Sequence, residues 1–324
     1  MNSVYVSRPL PAPGAELLVA AGVEVEQQPF DRPPTRDELL AGVESKDGLL
    51  CLLTERVDAD LLDAAPGLRV VANLAVGYDN VDIAAATARG VVVTNTPDVL
   101  TDATADLTWA LILAAARRVV EGDSLVRGGG WAGWSPTQLL GASLTGKTLG
   151  IFGMGKIGAA VARRARGFSM SIVYTSRTRN LAVETELGAR AVTFDELLAQ
   201  SDVLALHAPS TPETRHVIDA AALARLKPGV VLVNTARGPL IDEAVLVEAL
   251  RSGRVAAAGL DVFEREPLLA PGLADLTNVV LLPHLGSATA ETRAAMVELC
   301  CRNILAVLAG EPPITPLNSV PRRA

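Results

Sequence analysis

Leu149–Gly158 reads LGIFGMGKIG and decides the fold of the chain around it. An apolar run enters three glycines spaced G-x-G-x-x-G, at Gly153, Gly155 and Gly158, and the chain then continues as the helix-like AAVARRARGF. The first glycine permits a tight turn, the second lets the backbone approach a pyrophosphate, and the third allows close helix–strand packing. The segment therefore predicts a strand–turn–helix unit that binds a dinucleotide through Gly153, Met154, Gly155, Lys156, Ile157 and Gly158.

Outward from this unit, short apolar runs alternate with Ala- and Leu-rich amphipathic stretches, which is typical of doubly wound α/β folds. The glycine turn usually opens its domain, yet here a full α/β pattern precedes it, so a second domain is expected. A long helix over Thr101–Val120 and an irregular segment over Gly128–Leu140, with Trp131 and Trp134, are predicted in between. The predicted strands are Val4–Val6, Val23–Glu26, Gly48–Leu53, Val70–Asn73, Val91–Thr94, Thr148–Phe152, Ser171–Thr175, Val203–Leu206, Val230–Asn234, Ala256–Asp261 and Val279–Leu282.

Composition narrows the class of protein. The chain has 29 basic and 36 acidic residues, a net charge of −7, which argues against a nucleic-acid-binding surface. Three cysteines without metal-ligand spacing predict neither a disulfide framework nor a metal site. The longest nearly apolar run, Leu107–Ala116, is too short to cross a membrane, and no basic-plus-apolar leader is visible at the start. A cytoplasmic protein without nucleic-acid or membrane partners is expected.

The end of the second predicted strand bears on the choice of dinucleotide. NAD-specific sites carry an acidic residue there that holds the ribose 2′-hydroxyl. This chain has Ser176, Arg177, Thr178 and Arg179 instead, which offer hydroxyls and guanidinium groups to a 2′-phosphate. The turn favours NADP(H), with NAD(H) still possible; a solvated basic turn is the alternative.

Three histidines are the candidates for acid–base work. His216 lies in a polar stretch and is predicted to be an exposed loop residue, and His207 is predicted to be structural at a strand end. His284 follows an apolar strand, at the edge of the sheet that lines the ligand crevice in such folds. Arg237 and Glu266 also follow strands, although the spacing alone does not show that the three converge.

These three side chains suit the reduction of a 2-oxo acid. Arg237 can grip a carboxylate and polarise the neighbouring carbonyl. A protonated His284 can donate a proton to the carbonyl oxygen, and Glu266 can keep that imidazole protonated. The sequence therefore predicts Arg237, Glu266 and His284 as the catalytic set.

Five motifs carry a family resemblance over essentially the whole chain. They are Val76–Asn80, the GMGKIG turn, Asn234–Gly238, Asp261–Pro267 and Pro283–Thr289. In this order they resemble the D-isomer-specific 2-hydroxyacid dehydrogenases. Ala75–Asn80, Leu100–Asp106 and the turn at Ser176 and Arg177 are most similar to the glyoxylate/hydroxypyruvate reductases within that family.

The resemblance implies two doubly wound parallel-sheet domains, with a Rossmann cofactor domain inserted in a flavodoxin-like substrate domain. The substrate domain would comprise residues 1–100 and 286–324, and the dinucleotide-binding domain residues 101–285. Substrate contacts are expected at Ala75, Val76, Gly77, Arg237, His284, Ser287 and Trp134, with the backbone N–H groups of Val76 and Gly77 binding the carboxylate. Dinucleotide contacts beyond the glycine turn are expected at Thr104, Ser176, Arg177, Thr178, Pro209, Thr214, Thr235, Ala236, Arg237, Asp261, His284 and Gly286.

The same resemblance implies a homodimer that exchanges the region after the long helix. Trp134 then has two open interpretations, a side chain that reaches the neighbouring subunit's pocket or an interface core aromatic. The expected activity is NADPH-dependent reduction of glyoxylate or hydroxypyruvate to glycolate or D-glycerate. The alternatives are a broader 2-ketoacid reductase, for example one acting on 2-ketogluconate, and a dinucleotide-sensing binding protein similar to corepressors that resemble this family. The segment Ala75–Gly77 lacks the Lys of phosphite dehydrogenases, and no regulatory extension is visible after Ala324.

Overall fold

The computed structural model describes residues 1–320; residues 321–324, the end of the expected substrate domain, lie outside the described part. The strands are β1 (Ser3–Val6), β2 (Glu24–Gln27), β3 (Gly48–Cys51), β4 (Val70–Asn73), β5 (Val92–Thr94), β6 (Thr148–Phe152), β7 (Ser171–Thr175), β8 (Arg190–Ala191), β9 (Val203–Leu206), β10 (Val230–Asn234), β11 (Val255–Leu260) and β12 (Val279–Leu281). The α-helices are α1 (Glu16–Ala20), α2 (Arg36–Val43), α3 (Ala59–Ala64), α4 (Ile83–Ala88), α5 (Thr101–Ala116), α6 (Val119–Arg127), α7 (Lys156–Ala165), α8 (Leu181–Leu187), α9 (Phe194–Gln200), α10 (Ala220–Arg225), α11 (Glu243–Arg251) and α12 (Ala290–Leu308). Single 3₁₀ turns lie at Arg166–Phe168 and Gly238–Leu240.

The chain forms two compact units, one of residues 1–100 with the chain from Ser287 onward, the other of Thr101–Gly286. The first unit holds a five-stranded parallel sheet in the order β2-β1-β3-β4-β5. Every residue of β3 and β4 is buried, because helices cover both faces of such a sheet. The order matches the flavodoxin-like arrangement, in which ligands bind where the strand order reverses.

The second unit holds a seven-stranded parallel sheet in the order β12-β11-β10-β9-β6-β7-β8. Renumbered from β6, this is the 3-2-1-4-5-6 Rossmann order with one further strand. The glycine turn leaves the central strand β6, and β9 lies directly beside β6 in parallel register. The crevice at the strand ends therefore opens between β6 and β9, and the predicted α/β class with two doubly wound sheets is confirmed.

The long helix expected over Thr101–Val120 is two helices, so this prediction was wrong in its extent. α5 ends at Ala116, whose carbonyl accepts the N–H of Ala142 at 2.8 Å. Arg118 then adopts a left-handed conformation with φ 54° and pairs with Glu121, and α6 begins at Val119. The segment 128–140 contains neither helix nor strand, as predicted. Within residues 1–320, no helix is both long and apolar enough to cross a lipid bilayer.

Candidate active site

The turn after β6 is built for an anion. Gly153 has φ 101°, and a Cβ there would lie 2.6 Å from the backbone nitrogen of Ala208, so the β9 end packs directly against it. A Cβ on Gly158 would lie 2.2 Å from the Gly153 carbonyl oxygen, which explains the close helix packing. Gly155 faces open space and caps α7 without a side-chain hydrogen bond. The first N–H groups of α7 and its positive dipole end are therefore available to a pyrophosphate, and the chain fits a dinucleotide.

The turn after β7 lines a surface depression together with Met154 and Gly155. Its two arginines are not equivalent. Arg179 donates to Glu184, with Nε 3.0 Å from Oε1, and the hydrogen bond from Arg179 lowers the pKa of Glu184 to about 2. Tyr174 also donates to Glu184 and accepts the N–H of Asn180 at 2.8 Å. Since Glu184 neutralises Arg179, Arg177 is the stronger candidate for a phosphate contact.

Two of the three predicted catalytic side chains are in hydrogen-bond contact. Nδ1 of His284 lies 2.9 Å from Oε2 of Glu266, and the other Glu266 oxygen accepts the N–H of Phe263 at 3.1 Å. Burial opposes ionisation of Glu266, but the bond and charge of His284, the Phe263 amide and the charge of Arg237 lower its pKa below the usual value. Glu266 is therefore a carboxylate at neutral pH, placed to orient the imidazole through the Nδ1 contact.

Arg237 is fixed at the end of β10. The buried side chain of Asn234 donates to the Arg237 carbonyl at 2.8 Å and accepts the N–H of Ala236 at 3.0 Å. Nη1 of Arg237 donates to the Ala236 carbonyl at 2.8 Å. The strand end thus holds the guanidinium on the same side of the sheet as Glu266, whose pKa it lowers.

Asp261 holds the backbone of His284, a role that sequence reasoning missed. His284 has φ 57°, in the left-handed region that costs energy for a residue with a side chain. The three amides of this turn all bond to Asp261: His284 to its carbonyl at 2.9 Å, Leu285 to Oδ1 at 2.6 Å and Gly286 to Oδ2 at 2.8 Å. Burial raises the pKa of Asp261, and the amides oppose that effect. Asp261, an expected dinucleotide contact, thus also orders the turn that carries His284.

The first turns of α5 reach the same strand ends. Thr104 donates to the Gly286 carbonyl at 3.1 Å, and Thr108 shares a 2.9 Å hydrogen bond with Thr235. In the loop after β9, Thr214 donates to the Pro209 carbonyl at 2.7 Å. These expected dinucleotide contacts lie in one unit, on the loops that follow the strands.

The remaining substrate candidates lie elsewhere in the chain. Ala75–Gly77 follow β4 in the first unit, where Asn95 donates to the Val76 carbonyl and Asn73 to the Gly77 carbonyl, each at 2.8 Å. Ser287, also in the first unit, accepts from Arg293 at 3.2 Å. Trp134 belongs to the segment 128–140 of the second unit and is 83% exposed.

The two other histidines differ in environment. Burial lowers the pKa of His207 to about 4, so this side chain at the end of β9 stays neutral. His216 is not the exposed loop residue that was expected: its Nε2 lies 2.7 Å from Oε1 of Glu264, a partner 48 residues along the chain. No local sequence signal marks that pairing.

Comparisons with known proteins identify the family of this chain. Residues 109–286 match the family model of the D-isomer specific 2-hydroxyacid dehydrogenase NAD binding domain. A glyoxylate reductase of Thermococcus litoralis is 49% identical, over 97% of this chain and 96% of its own. A glyoxylate reductase structure from Paecilomyes thermophila has a TM-score of 0.87 at 38% identity and covers 98% of each chain. The NADPH-dependent glyoxylate/hydroxypyruvate reductase of Sinorhizobium meliloti, solved with NADP and malonate, has a TM-score of 0.86 at 37% identity and covers 100% of this chain and 98% of its own. The chain therefore belongs to the D-isomer specific 2-hydroxyacid dehydrogenase family, as its motifs predicted.

Proposed function

We propose that this protein reduces glyoxylate or hydroxypyruvate to glycolate or D-glycerate with NADPH as the preferred cofactor. The observation that carries the proposal is the 2.9 Å contact between Glu266 and His284 at the strand ends of the unit that holds the glycine turn. The relatives named glyoxylate reductase support the substrate class. In this proposal residues 101–285 bind the dinucleotide, and residues 1–100 with 286–324 bind the substrate.

The bound cofactor supplies the hydride, and the chain supplies the remaining chemistry. The α7 N-terminus would hold the pyrophosphate of a bound dinucleotide, and the loops after β9, β10 and β11 would hold its nicotinamide end. Arg237 would bind the substrate carboxylate and polarise the carbonyl. His284 gives its proton to the carbonyl oxygen as carbon is reduced, and Glu266 stabilises the imidazolium before that transfer.

A substrate panel tests the proposal directly. We expect loss of nicotinamide absorbance when NADPH is mixed with glyoxylate or hydroxypyruvate, and weaker turnover with pyruvate and 2-ketogluconate. Running each substrate with NADH as well measures the cofactor preference. Absence of turnover with every 2-oxo acid would reject the enzymatic proposal, and faster reduction of 2-ketogluconate would favour the broader 2-ketoacid reductase.

The two arginines of the β7 turn make a matched pair for testing the NADPH preference. Arg177→Gln should raise the KM for NADPH about tenfold, because it removes a charge-assisted contact to the 2′-phosphate, and should change the KM for NADH little. Arg179→Gln should have a smaller effect, because Glu184 already neutralises that charge. Equal KM values for NADPH in wild type and Arg177→Gln would contradict the assigned role.

We also expect a homodimer formed through α6 and the segment 128–140. No residue of α6 is buried, and apolar side chains are exposed along this surface. They are Val119, Val120, Val126, Trp131, Trp134 and Leu140. Monomeric proteins usually expose apolar residues singly, whereas this surface exposes six of them in one region of the chain. We therefore expect a second copy of the chain to bury it.

Charged substitutions on this surface test the dimer. Val126→Asp combined with Leu140→Asp should convert a dimer into a monomer in sedimentation measurements, since two charges would be buried in the interface. The same substitution at the exposed Val19, in the first unit, is the control and should leave the sedimentation coefficient unchanged. In Trp134→Ala, a raised KM for glyoxylate in an intact dimer would favour the pocket interpretation, and a loss of dimer the interface interpretation.

A further inference from the structure

A buried carboxylate with no part in the proposed proton transfer lies beneath the Glu266 loop. Glu243 is the first residue of α11 and is 4% exposed. Its Oε1 accepts the N–H of Glu264 at 2.7 Å, and the backbone amide of Ala270 lies close enough to lower its pKa. Glu264 lies two residues before Glu266 and Ala270 four residues after it. One buried side chain therefore holds the loop two residues before Glu266.

Arg237 lies six residues before Glu243, in the same short segment of chain. A Cβ on Gly238 would lie 1.9 Å from the carbonyl carbon of Phe263 and 2.3 Å from the nitrogen of Glu264, so this glycine packs directly on the peptide that Glu243 holds. Residues 237–243 thus present the guanidinium at one end and the buried carboxylate at the other. Contacts at Gly238 and Glu243 therefore fix the position of the Glu266 loop relative to Arg237.

The side chain of Glu264 has partners of its own in the loop after β9. Its Oε1 lies 2.7 Å from Nε2 of His216 and 3.1 Å from the guanidinium of Arg215. Burial opposes its ionisation, but the interactions with His216 and Arg215 and with the backbone N–H of Glu243 lower its pKa. With the Glu264 side chain pulled toward the loop after β9, its N–H points to Glu243. This arrangement fixes the peptide plane of the loop.

We infer that Glu243 is a positioning residue that sets the distance between Glu266 and His284. The predicted effect on the reaction rate rests on the proposed function. The predicted effect on the distance between Glu266 and His284 does not. The charged groups that face this pair are Asp261 at the end of β11, Arg237 after β10 and Glu243 itself. Without an acceptor at position 243, the Glu264 amide loses its partner and Glu266 moves away from the imidazole. The imidazolium then loses stabilisation, and its titration moves to lower pH.

The role needs an acceptor oxygen at the right reach rather than a negative charge. Burial raises the pKa of Glu243, and the neighbouring charges of Glu264 and Glu266 act in the same direction. An amide carbonyl can accept the same N–H at the same reach. Glu243→Gln should therefore retain the contact, Glu243→Asp should weaken it by withdrawing the oxygen one methylene, and Glu243→Ala should abolish it.

Histidine NMR titration of the full chain without substrate tests the geometry. The sequence has only three histidines, and His207, with its pKa lowered to about 4, is separable from the others. We expect the His284 midpoint to fall by about 1 pH unit in Glu243→Ala and by less in Glu243→Asp, and to stay at the wild-type value in Glu243→Gln. Glu248→Ala, which alters an exposed glutamate on the same helix, is the matched control and should not move it.

Kinetics supply the second measurement. In Glu243→Ala the kcat for glyoxylate reduction at neutral pH should fall about 10- to 100-fold, with the alkaline limb of the kcat/KM profile moved to lower pH and the KM for NADPH unchanged. Glu243→Gln should keep the wild-type kcat and the wild-type position of the alkaline limb. An unmoved His284 midpoint in Glu243→Ala, or in Glu243→Asp if the alanine variant does not fold, would overturn the inference even in an active enzyme. An inactive wild type would instead reject the proposed function, and the NMR result would still decide the positioning role.

Discussion

His284→Gln should lower the kcat for glyoxylate reduction by about 10²- to 10⁴-fold, because it removes the group that protonates the carbonyl oxygen. Glutamine is similar in size and polarity but cannot transfer a proton. The turn at His284 is held by three hydrogen bonds from backbone N–H groups to Asp261. None of them involves the imidazole, so the substitution should leave the turn intact. Stopped-flow or steady-state rates, together with NADPH binding followed by fluorescence, would measure the effect.

The pH profile distinguishes lost proton transfer from a general loss of activity. Reduction requires protonated His284 and ionised Glu266, so the wild-type kcat/KM should fall as pH rises and the imidazolium loses its proton. On the acid side, the lowered pKa of Glu266 moves the decline below the usual carboxyl range. His284→Gln should lose the alkaline limb and keep its affinity for NADPH. A variant that retains more than about a tenth of the wild-type kcat would show that another group donates the proton.

The fold was predictable where physical constraints are local. Thr148–Phe152, Ser171–Thr175, Val203–Leu206 and Val230–Asn234 were predicted with the bounds that the structure has. Parallel strands buried on both faces appear in sequence as continuous apolar runs, and the G-x-G-x-x-G spacing fixes the turn that follows the first of them. The short edge strand β8 (Arg190–Ala191) was missed, because its two exposed residues carry no such run.

Features that depend on contacts between residues far apart in the sequence could not be predicted. The break after Ala116 depends on the amide of Ala142, and the environment of His216 depends on Glu264. In sequence, Glu243 resembles any acidic residue in the first turn of a helix, where the helix dipole favours one. Its burial and its bond to the Glu264 amide emerge only when β11 brings the Glu266 loop over the start of α11. The candidate catalytic residues were identifiable by type and strand position, whereas the groups that hold them were not.

Arg237→Gln should lower kcat/KM for glyoxylate by about 10³-fold, through both a higher KM and a lower kcat. In the proposed function the guanidinium would bind the substrate carboxylate in the ground state and stabilise the negative charge that develops on the carbonyl oxygen, so both parameters should depend on it. Asn234 fixes this residue from β10, and Gly238 packs it against the Glu266 loop, so the side chain is preorganised. Preorganised charge costs no rearrangement during the reaction, which is why a large effect is expected from one side chain.

Arg237→Lys separates charge from geometry. Lysine retains the positive charge but not the planar pair of donors, so we expect a loss of about 10²-fold, intermediate between glutamine and wild type. Arg251→Gln removes an exposed arginine that pairs with Glu248 on α11 and serves as the control, with kcat/KM unchanged. If Arg237→Lys matched wild type, charge alone would be sufficient. If Arg237→Gln lowered kcat/KM less than tenfold, the carboxylate would have to be bound mainly by another group.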